Sequence, residues 1–326
     1  MRIRRRLLGM AAACASLSAL GTPADIRAQP YPSRPIKLLV GFAAGGNFDL
    51  VARLIGPWMA EQLRHPVVVE NKAGAGGNLA TEAAIRASAD GYTLLLAGAV
   101  NAINATLYER LPFDFIKEVT PIAGVVRFPN VLCVASTFPA RTLPEFVNYA
   151  RANPGRLNQG SSGNGTTQHL AGALFKSVAG VEFQHVPYRG ASLAIADLIG
   201  GHVQVIFEPL PASIEHIRSG RLRALAVTTA RRSDALPDVP SVSEFFSGYE
   251  ASGWTGLCAP GGTPVELVHR LNATVNAGLS DVRLRARITE LGAEPLSMAP
   301  DEFARLITDE TLKWGRVIRA NNIKVT

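Results

Sequence analysis

The chain has 326 residues, of which 47% are hydrophobic and 18% are charged, with 30 Gly and 21 Pro. This composition argues against a disordered chain, and the length exceeds the roughly 250 to 300 residues at which one hydrophobic core stops growing, so two lobes are expected. The net charge of +7 falls to +3 when residues 1–28, with five Arg and one Asp, are set aside. The remaining chain has no basic stripe with interleaved aromatic residues, which argues against nucleic-acid binding.

Residues 1–28 have the pattern of an export signal peptide. An arginine-rich start precedes an apolar stretch at residues 7–20, and Ile26, Arg27 and Ala28 provide a cleavage site. This stretch is shorter than the roughly 20 residues that a membrane span requires. The pattern predicts cleavage near Ala28 and a mature chain that starts at Gln29, with the general and the twin-arginine export routes both open.

After Gln29, apolar strand-like runs alternate with amphipathic helix-like runs. Strands are predicted at residues 36–42, 67–70, 92–97, 131–135, 158–161, 181–187, 203–207, 222–228 and 254–259. Helices are predicted at residues 47–63, 78–86, 166–178 and 192–199, and the segment 264–323 is predicted to be mostly helical. Such alternation is typical of an α/β protein with mostly parallel sheets flanked by helices.

Two segments have the sequence expected of crossings between lobes. A turn at Pro129 and Asn130 leads into the strand at 131–135, and a polar, Pro-rich passage at 231–241 precedes the strand at 254–259. These two strands would carry the chain out of one lobe and back. The predicted division is lobe 1 at 29–126 plus 253–326, and lobe 2 at 127–252.

Of the three cysteines, Cys14 lies in the predicted signal peptide, whereas Cys133 and Cys258 lie in apolar strand-like runs. Buried free thiols and a disulfide both suit an exported protein with this pattern. Neither cysteine is near a cluster of histidines, so no metal site is predicted.

Glycine turns open predicted helices at two places, residues 45–47 and 160–167. A helix N-terminus presents unpaired N–H groups and a positive dipole end, and glycine lets a ligand approach that backbone closely. Hydroxyl groups of the second turn add donors, although Thr166 or Thr167 could instead cap the helix. Two such turns in separate lobes favour an anion site over simple tight turns. Neither turn matches a nucleotide-binding motif, so no cofactor is predicted.

Catalytic patterns are sparse. Residues 160–164 lack the second glycine of a nucleophile elbow, but an exported serine hydrolase using Ser161 or Ser162 remains an alternative. His169, in the first turn of its helix, either faces a ligand or caps and packs. Asp49 either is stabilised by the helix dipole or accepts a hydrogen bond from a ligand.

The ordered motifs together resemble the Bug receptors, the extracytoplasmic solute-binding proteins of tripartite tricarboxylate transporters. The motifs are IKLLVGFAAGGNFDLVAR at 36–53, VENKAGAGGN at 69–78, DGYTL at 90–94, GSSGNGTTQHL at 160–170, and VPYRG at 186–190 with DLIGG at 197–201. The similarity covers the whole chain after Gln29.

The resemblance implies a two-lobed periplasmic-binding-protein (Venus flytrap) fold that binds its ligand between the lobes, without catalysis or cofactor. The implied ligand is a small carboxylate: a dicarboxylate, a tricarboxylate, an amino acid or an aromatic acid. The implied setting is a monomeric protein in the periplasm that delivers this ligand to integral membrane transporter subunits. The binding residues that the resemblance implies are Phe42, Ala43, Ala44, Gly45, Asn47, Asp49, Ser161, Ser162, Gly163, Thr166, Thr167, Tyr188 and Glu208.

Two positions depart from the family pattern. Ala44 stands where the family usually has Pro, and Glu208 stands where it commonly has Asp. The first change loosens the loop, and the second lengthens an acid near the expected cleft. A ligand-binding partner of an ATP-driven importer or of a sensor would share the same fold, and it remains open at this point as an alternative to the transporter receptor.

Overall fold

The computed structural model describes residues 31–188 and 190–324. The predicted signal peptide, its cleavage site near Ala28 and Cys14 lie outside the described residues. In the described part, no helix combines the length and the apolar character needed to cross a membrane.

Strands and helices alternate along the described chain. The strands are β1 (Ile36–Val40), β2 (Val67–Asn71), β3 (Thr93–Gly98), β4 (Val119–Phe128), β5 (Asn130–Ala135), β6 (Asn158–Ser161), β7 (Gln184–Pro187), β8 (Val205–Pro209), β9 (Leu222–Val227), β10 (Gly253–Pro260) and β11 (Glu294–Pro295). The helices are α1 (Asn47–Leu63), α2 (Asn78–Ile85), α3 (Ala99–Leu107), α4 (Phe115–Glu118), α5 (Leu143–Ala152), α6 (Thr167–Ala179), α7 (Ala191–Ile199), α8 (Leu210–Arg218), α9 (Val265–Ser280), α10 (Val282–Glu290) and α11 (Pro300–Ala320).

The strands form two sheets, in the orders β11-β4-β10-β3-β1-β2 and β7-β6-β8-β5-β9. Helices flank both sheets, so the predicted two-lobed α/β fold is confirmed. The expectation of mostly parallel pairing needs a correction, because β10 and β11 run against β1 to β4 and β5 runs against the other four strands of its sheet. Strands β5 and β10 enter their sheets from the other lobe, which accounts for their opposite direction.

The chain passes between the sheets at two adjacent places. It leaves the first sheet after β4, enters the second at β5, and returns between β9 and β10. The Asn130 N–H donates to Thr228 Oγ1 at 3.1 Å, and Asn130 Nδ2 donates to the Ala251 carbonyl at 2.9 Å, so the two crossings are bonded to each other. The predicted lobe boundaries fall at these crossings and stay a prediction.

The C-terminal helix α11 contributes to the hydrophobic cores of both sheets. Phe303 and Ile307, in its first half, pack with buried residues of the first sheet. Trp314 and Ile318, in its second half, pack with the buried residues of the second sheet and with Ile103 of α3. Helix α11 therefore joins the two halves of the molecule through apolar packing.

The two described cysteines are free and buried. Cys133 lies in β5 of the second sheet and Cys258 lies in β10 of the first. The structure therefore contains no disulfide between them, and burial raises the pKa of both thiols.

Candidate functional site

The first glycine turn leads directly from β1 into α1. Gly46 precedes the helix in an extended conformation and provides no side-chain cap. A Cβ on Gly41 would lie 2.7 Å from the Gly77 Cα, so the turn packs backbone against backbone on the neighbouring glycine segment. Because Gly46 has no side chain, no N-cap side chain accepts hydrogen bonds from the first main-chain N–H groups of α1.

Asp49 holds this turn in place. Its Oδ2 accepts hydrogen bonds from the Gly45 N–H at 2.8 Å and from Arg53 Nε at 2.9 Å, and its Oδ1 accepts one from Asn71 Nδ2 at 3.0 Å. The bonds from Arg53 and Gly45 lower the pKa of this 2% exposed carboxyl to about 2. Because these partners already occupy the carboxylate, its placement favours positioning of the loop over contact with a ligand.

The second glycine turn leads from β6 into α6. Thr166 caps the helix, since its Oγ1 accepts from the His169 N–H at 3.3 Å and donates to the Gly163 carbonyl at 2.8 Å. A Cβ on Gly165 would lie 2.2 Å from Leu107 Cδ2 of α3, so this turn contacts a helix that follows the first sheet. Gly165 also has a φ of 70°, a left-handed conformation that favours glycine at this position.

Two stacked histidines support the second turn from behind. The rings of His169 and His185 are parallel, with centroids 3.5 Å apart. His169 Nδ1 accepts from the Gly165 N–H at 3.2 Å, and His185 Nε2 is 2.6 Å from Ser161 Oγ. Burial lowers the pKa of His169 to about 3 and that of His185 to about 4, so both are neutral at pH 7. Of the two roles left open for His169, the structure shows packing and loop support.

The half-buried Ser162 and the buried Glu208 form a pair between the second turn and the end of β8. The Ser162 hydroxyl lies 2.8 Å from Glu208 Oε2 and 3.1 Å from Oε1, and Glu208 is 0% exposed. Burial raises the pKa of Glu208 to about 7, against the opposing effect of the Ser162 hydrogen bonds. Glu208 therefore reaches Ser162 and has a carboxyl group that is half-protonated near neutral pH.

The raised pKa of Glu208 predicts a pH-dependent contribution to the free energy of unfolding, which Glu208→Gln should remove. With a folded pKa of about 7 against about 4.3 in the unfolded chain, the folded state binds more protons, so the stability contributed by Glu208 falls as pH rises from about 4.5 to 7. Relative to wild type, Glu208→Gln should gain on the order of 3 kcal/mol of unfolding free energy between pH 4 and 8.

Urea unfolding at a series of pH values measures this difference. Glu215→Gln is the charge-matched control, because the Glu215 side chain is 74% exposed on the following helix α8. Parallel pH profiles for wild type and Glu208→Gln would contradict the prediction.

A cavity of about 180 Å³ lies between the two sheets, and both lobes line it. From the first lobe come Phe42, Asn47, Phe48, Ala99, Val100, Trp254 and Thr255. From the second come Asn130, Thr166, Thr167, Gln168 and Pro209, and the crossing strands add Phe128 and Gly253. Four of the predicted binding residues, Phe42, Asn47, Thr166 and Thr167, thus meet in one cavity.

The other predicted residues are not among those that line this cavity. Ala43, Ala44 and Gly45 are in the first turn, and Gly163 lies in the second. Tyr188 donates its hydroxyl to Asp197 Oδ2 at 2.6 Å, and burial together with Asp197 raises the pKa of Tyr188 to about 12. Asp49, Ser161, Ser162 and Glu208 act in the contacts described above. Direct ligand contact by any of these residues stays a prediction.

The sequence analysis missed two helices that also begin at the cavity. Helix α3 starts with Ala99 and Val100, and α8 starts after Pro209. Together with α1 and α6, helix α3 therefore gives three helix N-termini at this cavity, and each contributes a positive dipole end. Helix α8 adds little, because its first N–H donates to the Pro129 carbonyl and Pro211 has no N–H. Gly98 before α3 was the available signal, because a glycine between a strand and a helix marks the same kind of turn.

Charged groups are absent from the cavity lining that the structure describes. The described residues also contain no cluster of His, Cys, Asp or Glu that could hold a metal ion. An anion in this cavity would therefore be bound by main-chain N–H groups and by neutral side chains such as Asn47, Thr167 and Gln168.

Comparisons with known proteins agree with the family resemblance of the sequence motifs. The family model for the tripartite tricarboxylate transporter family receptor matches residues 51–323. BugT of Bordetella pertussis is 34% identical over 312 residues, which cover 95% of this chain and 96% of BugT.

Two solved structures from Rhodopseudomonas palustris share the fold. Rpa4515 with adipate is 35% identical with a TM-score of 0.78, covering 90% of this chain and 99% of that one. MatC (Rpa3494) with bound malate is 32% identical with a TM-score of 0.74, covering 88% and 100%.

Proposed function

Because the chain belongs to the tripartite tricarboxylate transporter receptor family, we propose that it captures a small carboxylate in the cavity between its two lobes. The observation that carries this proposal is the meeting of three helix N-termini, those of α1, α3 and α6, at one cavity whose described lining holds no charged side chain. The adipate and malate in the two Rhodopseudomonas structures support a carboxylate as the ligand class.

Main-chain N–H groups can supply the affinity. Each hydrogen bond to a carboxylate contributes about 1.5 to 3 kcal/mol. Three or four such bonds, reduced by the cost of closing the lobes, correspond to roughly −8 kcal/mol and a micromolar Kd. No arginine or lysine is needed for this affinity.

The receptor would work by changing shape and not by chemistry. Ligand binding between lobes that are joined by two crossing segments favours the closed form, and a membrane transporter subunit would recognise that form. The protein would be exported by its signal peptide, cleaved near Ala28, and act in the periplasm as a monomer. The proposed lobes are residues 29–126 plus 253–326 and residues 127–252.

One contact favours the alternative of a serine hydrolase. Ser161 Oγ lies 2.6 Å from His185 Nε2, a distance suited to a nucleophile and its base. The Ser161 hydroxyl, however, donates to the Gly163 carbonyl at 3.1 Å, so its proton is not directed to His185, and the contact favours support of the loop over catalysis. We expect Ser161→Ala to retain carboxylate binding, and wild type to release no product from p-nitrophenyl acetate.

Calorimetric titration with adipate, malate, citrate, glutamate and benzoate tests the proposal. At least one of these acids should bind with a micromolar Kd, and small-angle scattering should show a smaller radius of gyration on binding. Ethylamine and glucose, which have no carboxylate, serve as controls that should not bind. The proposal fails if these controls bind and no carboxylate does.

A further inference from the structure

Aromatic side chains form much of the cavity wall. Phe42, Phe48 and Phe128 all line it, and the centroids of the Phe42 and Phe48 rings lie 4.6 Å apart. An apolar cavity of roughly 150 Å³ accommodates benzene, and this cavity measures about 180 Å³. The space therefore suits one aromatic ring with small substituents, because rings stack favourably on such walls.

The charge around the cavity favours a ligand with a single negative charge. The described lining offers no cation to a second or third carboxylate. Burying a second or third carboxylate without a cationic partner is unfavourable, which disfavours di- and tricarboxylates relative to monocarboxylates.

One polar atom in the wall has no partner within the protein. Thr255 lines the cavity and is 1% exposed, and its buried Oγ1 makes no hydrogen bond. The pairing of β10 with β4 shifts register between Thr255 and Gly256, an irregularity that commonly redirects a side chain at a binding site. The adjacent Trp254 donates its indole N–H to Glu310 Oε2 at 3.2 Å, so its polar atom is paired. Thr255 has the side-chain polar atom of this pair that has no partner among the described residues.

A buried hydroxyl without a partner is unfavourable until a ligand group pairs with it. We propose that the ligand is an aromatic monocarboxylate with a ring hydroxyl, and that Thr255 selects it by hydrogen bonding to that ring hydroxyl. The carboxylate would lie at the helix N-termini, and the ring would lie between the aromatic side chains. This inference rests on the proposed carboxylate-binding function and narrows its ligand class.

The test measures Kd values by calorimetry for benzoate, 2-, 3- and 4-hydroxybenzoate, adipate, malate and citrate. At least one hydroxybenzoate should bind about tenfold more tightly than benzoate, the size of one additional hydrogen bond, and more tightly than all three aliphatic acids. Thr255→Val should reduce the preference for that hydroxybenzoate over benzoate to less than about threefold. Thr255→Ser, which keeps a hydroxyl group, should retain the wild-type preference for that hydroxybenzoate over benzoate.

Thermal unfolding without ligand shows whether Thr255→Val still folds, and its midpoint should equal or exceed that of wild type, because an unpaired hydroxyl is removed. A lower midpoint would overturn the assignment of Thr255 as unpartnered. Thr308→Val, at an exposed position of α11, is the matched control and should keep the wild-type preference.

The remaining outcomes separate the two proposals. Tighter binding of adipate, malate or citrate than of every aromatic acid overturns this inference and leaves the proposed function intact. An unchanged hydroxybenzoate preference in Thr255→Val overturns the role of Thr255. Failure of all seven acids to bind overturns both the inference and the proposed function.

Discussion

Trp314→Ala is expected to lower the free energy of unfolding by about 3 to 5 kcal/mol, the usual cost of removing a buried tryptophan. Trp314 is 0% exposed, and its Nε1 donates to Glu310 Oε2 at 2.8 Å. It packs among residues of α3, α11 and the second sheet, so its loss removes contact between the lobes. Chemical unfolding should therefore change from one transition to two, as the lobes begin to unfold separately.

Leu312→Ala is the matched control for this helix. Leu312 is 57% exposed on α11, and its truncation should change the free energy of unfolding by less than about 0.5 kcal/mol. A single transition for Trp314→Ala, with a loss close to that of Leu312→Ala, would contradict the joining role of α11.

Gly98→Ala is expected to weaken carboxylate binding strongly. A Cβ at this position would lie 2.5 Å from Phe48 Cζ and 2.7 Å from the Trp254 carbonyl oxygen, and Phe48 and Trp254 both line the cavity. The Phe48 ring could rotate away, but the carbonyl belongs to β10, which pairs with β3 at Gly98. Overpacking of this kind costs about 1 to 3 kcal/mol of unfolding free energy. The displacement of Phe48 and of β10 also changes the cavity wall, so we expect the Kd to rise by about tenfold or more.

Calorimetry with the tightest-binding carboxylate measures this effect, and Gly56→Ala provides the control. A Cβ on Gly56 would lie 3.8 Å from the side chains of Val67 and Val69, within ordinary contact distance. Gly56→Ala should keep the wild-type Kd and raise stability by roughly 0.5 to 1 kcal/mol, because alanine favours a helix interior. Equal Kd values for Gly98→Ala and wild type would show that this close approach does not shape the cavity.

Local sequence patterns were sufficient for the elements with regular periodicity. Helix α1 and strand β6 have the predicted bounds, because a glycine turn and helical spacing define α1 and the following glycine turn ends β6. Strand β4 was missed because Pro121 and Gly124 interrupt its apolar run. Gly124 is required there, since a Cβ would lie 2.4 Å from the Leu296 carbonyl oxygen.

Helix α3 was missed because its own residues favour helix weakly. Asn101 and Asn104 are buried within it, and asparagine is a poor helix former. Tertiary hydrogen bonds compensate: Asn101 accepts from the Gly98 N–H and donates to Thr81, while Asn104 donates to the Gly76 carbonyl. The contacts with Thr81 and Gly76 lie 20 or more residues away along the chain and leave no local signal.

The candidate site was also only partly predictable from local sequence patterns. Glycine turns indicated Asn47, Thr166 and Thr167, because the chemistry of a helix N-terminus is local in sequence. Thr255 and Phe128 gave no such signal, because their place in the cavity depends on β4 and β10 lying side by side in the sheet. The residues of the glycine turns were therefore predictable, whereas the wall that would select the ligand was not.

A crystal structure of the protein with a bound carboxylate tests the central claim most directly. The account predicts a ligand between the lobes whose carboxylate oxygens lie about 2.7 to 3.2 Å from main-chain N–H groups in the first turns of α1, α3 or α6, the range of ordinary hydrogen bonds. A carboxylate bound by arginine or lysine side chains, or a ligand in contact with one lobe alone, would contradict it.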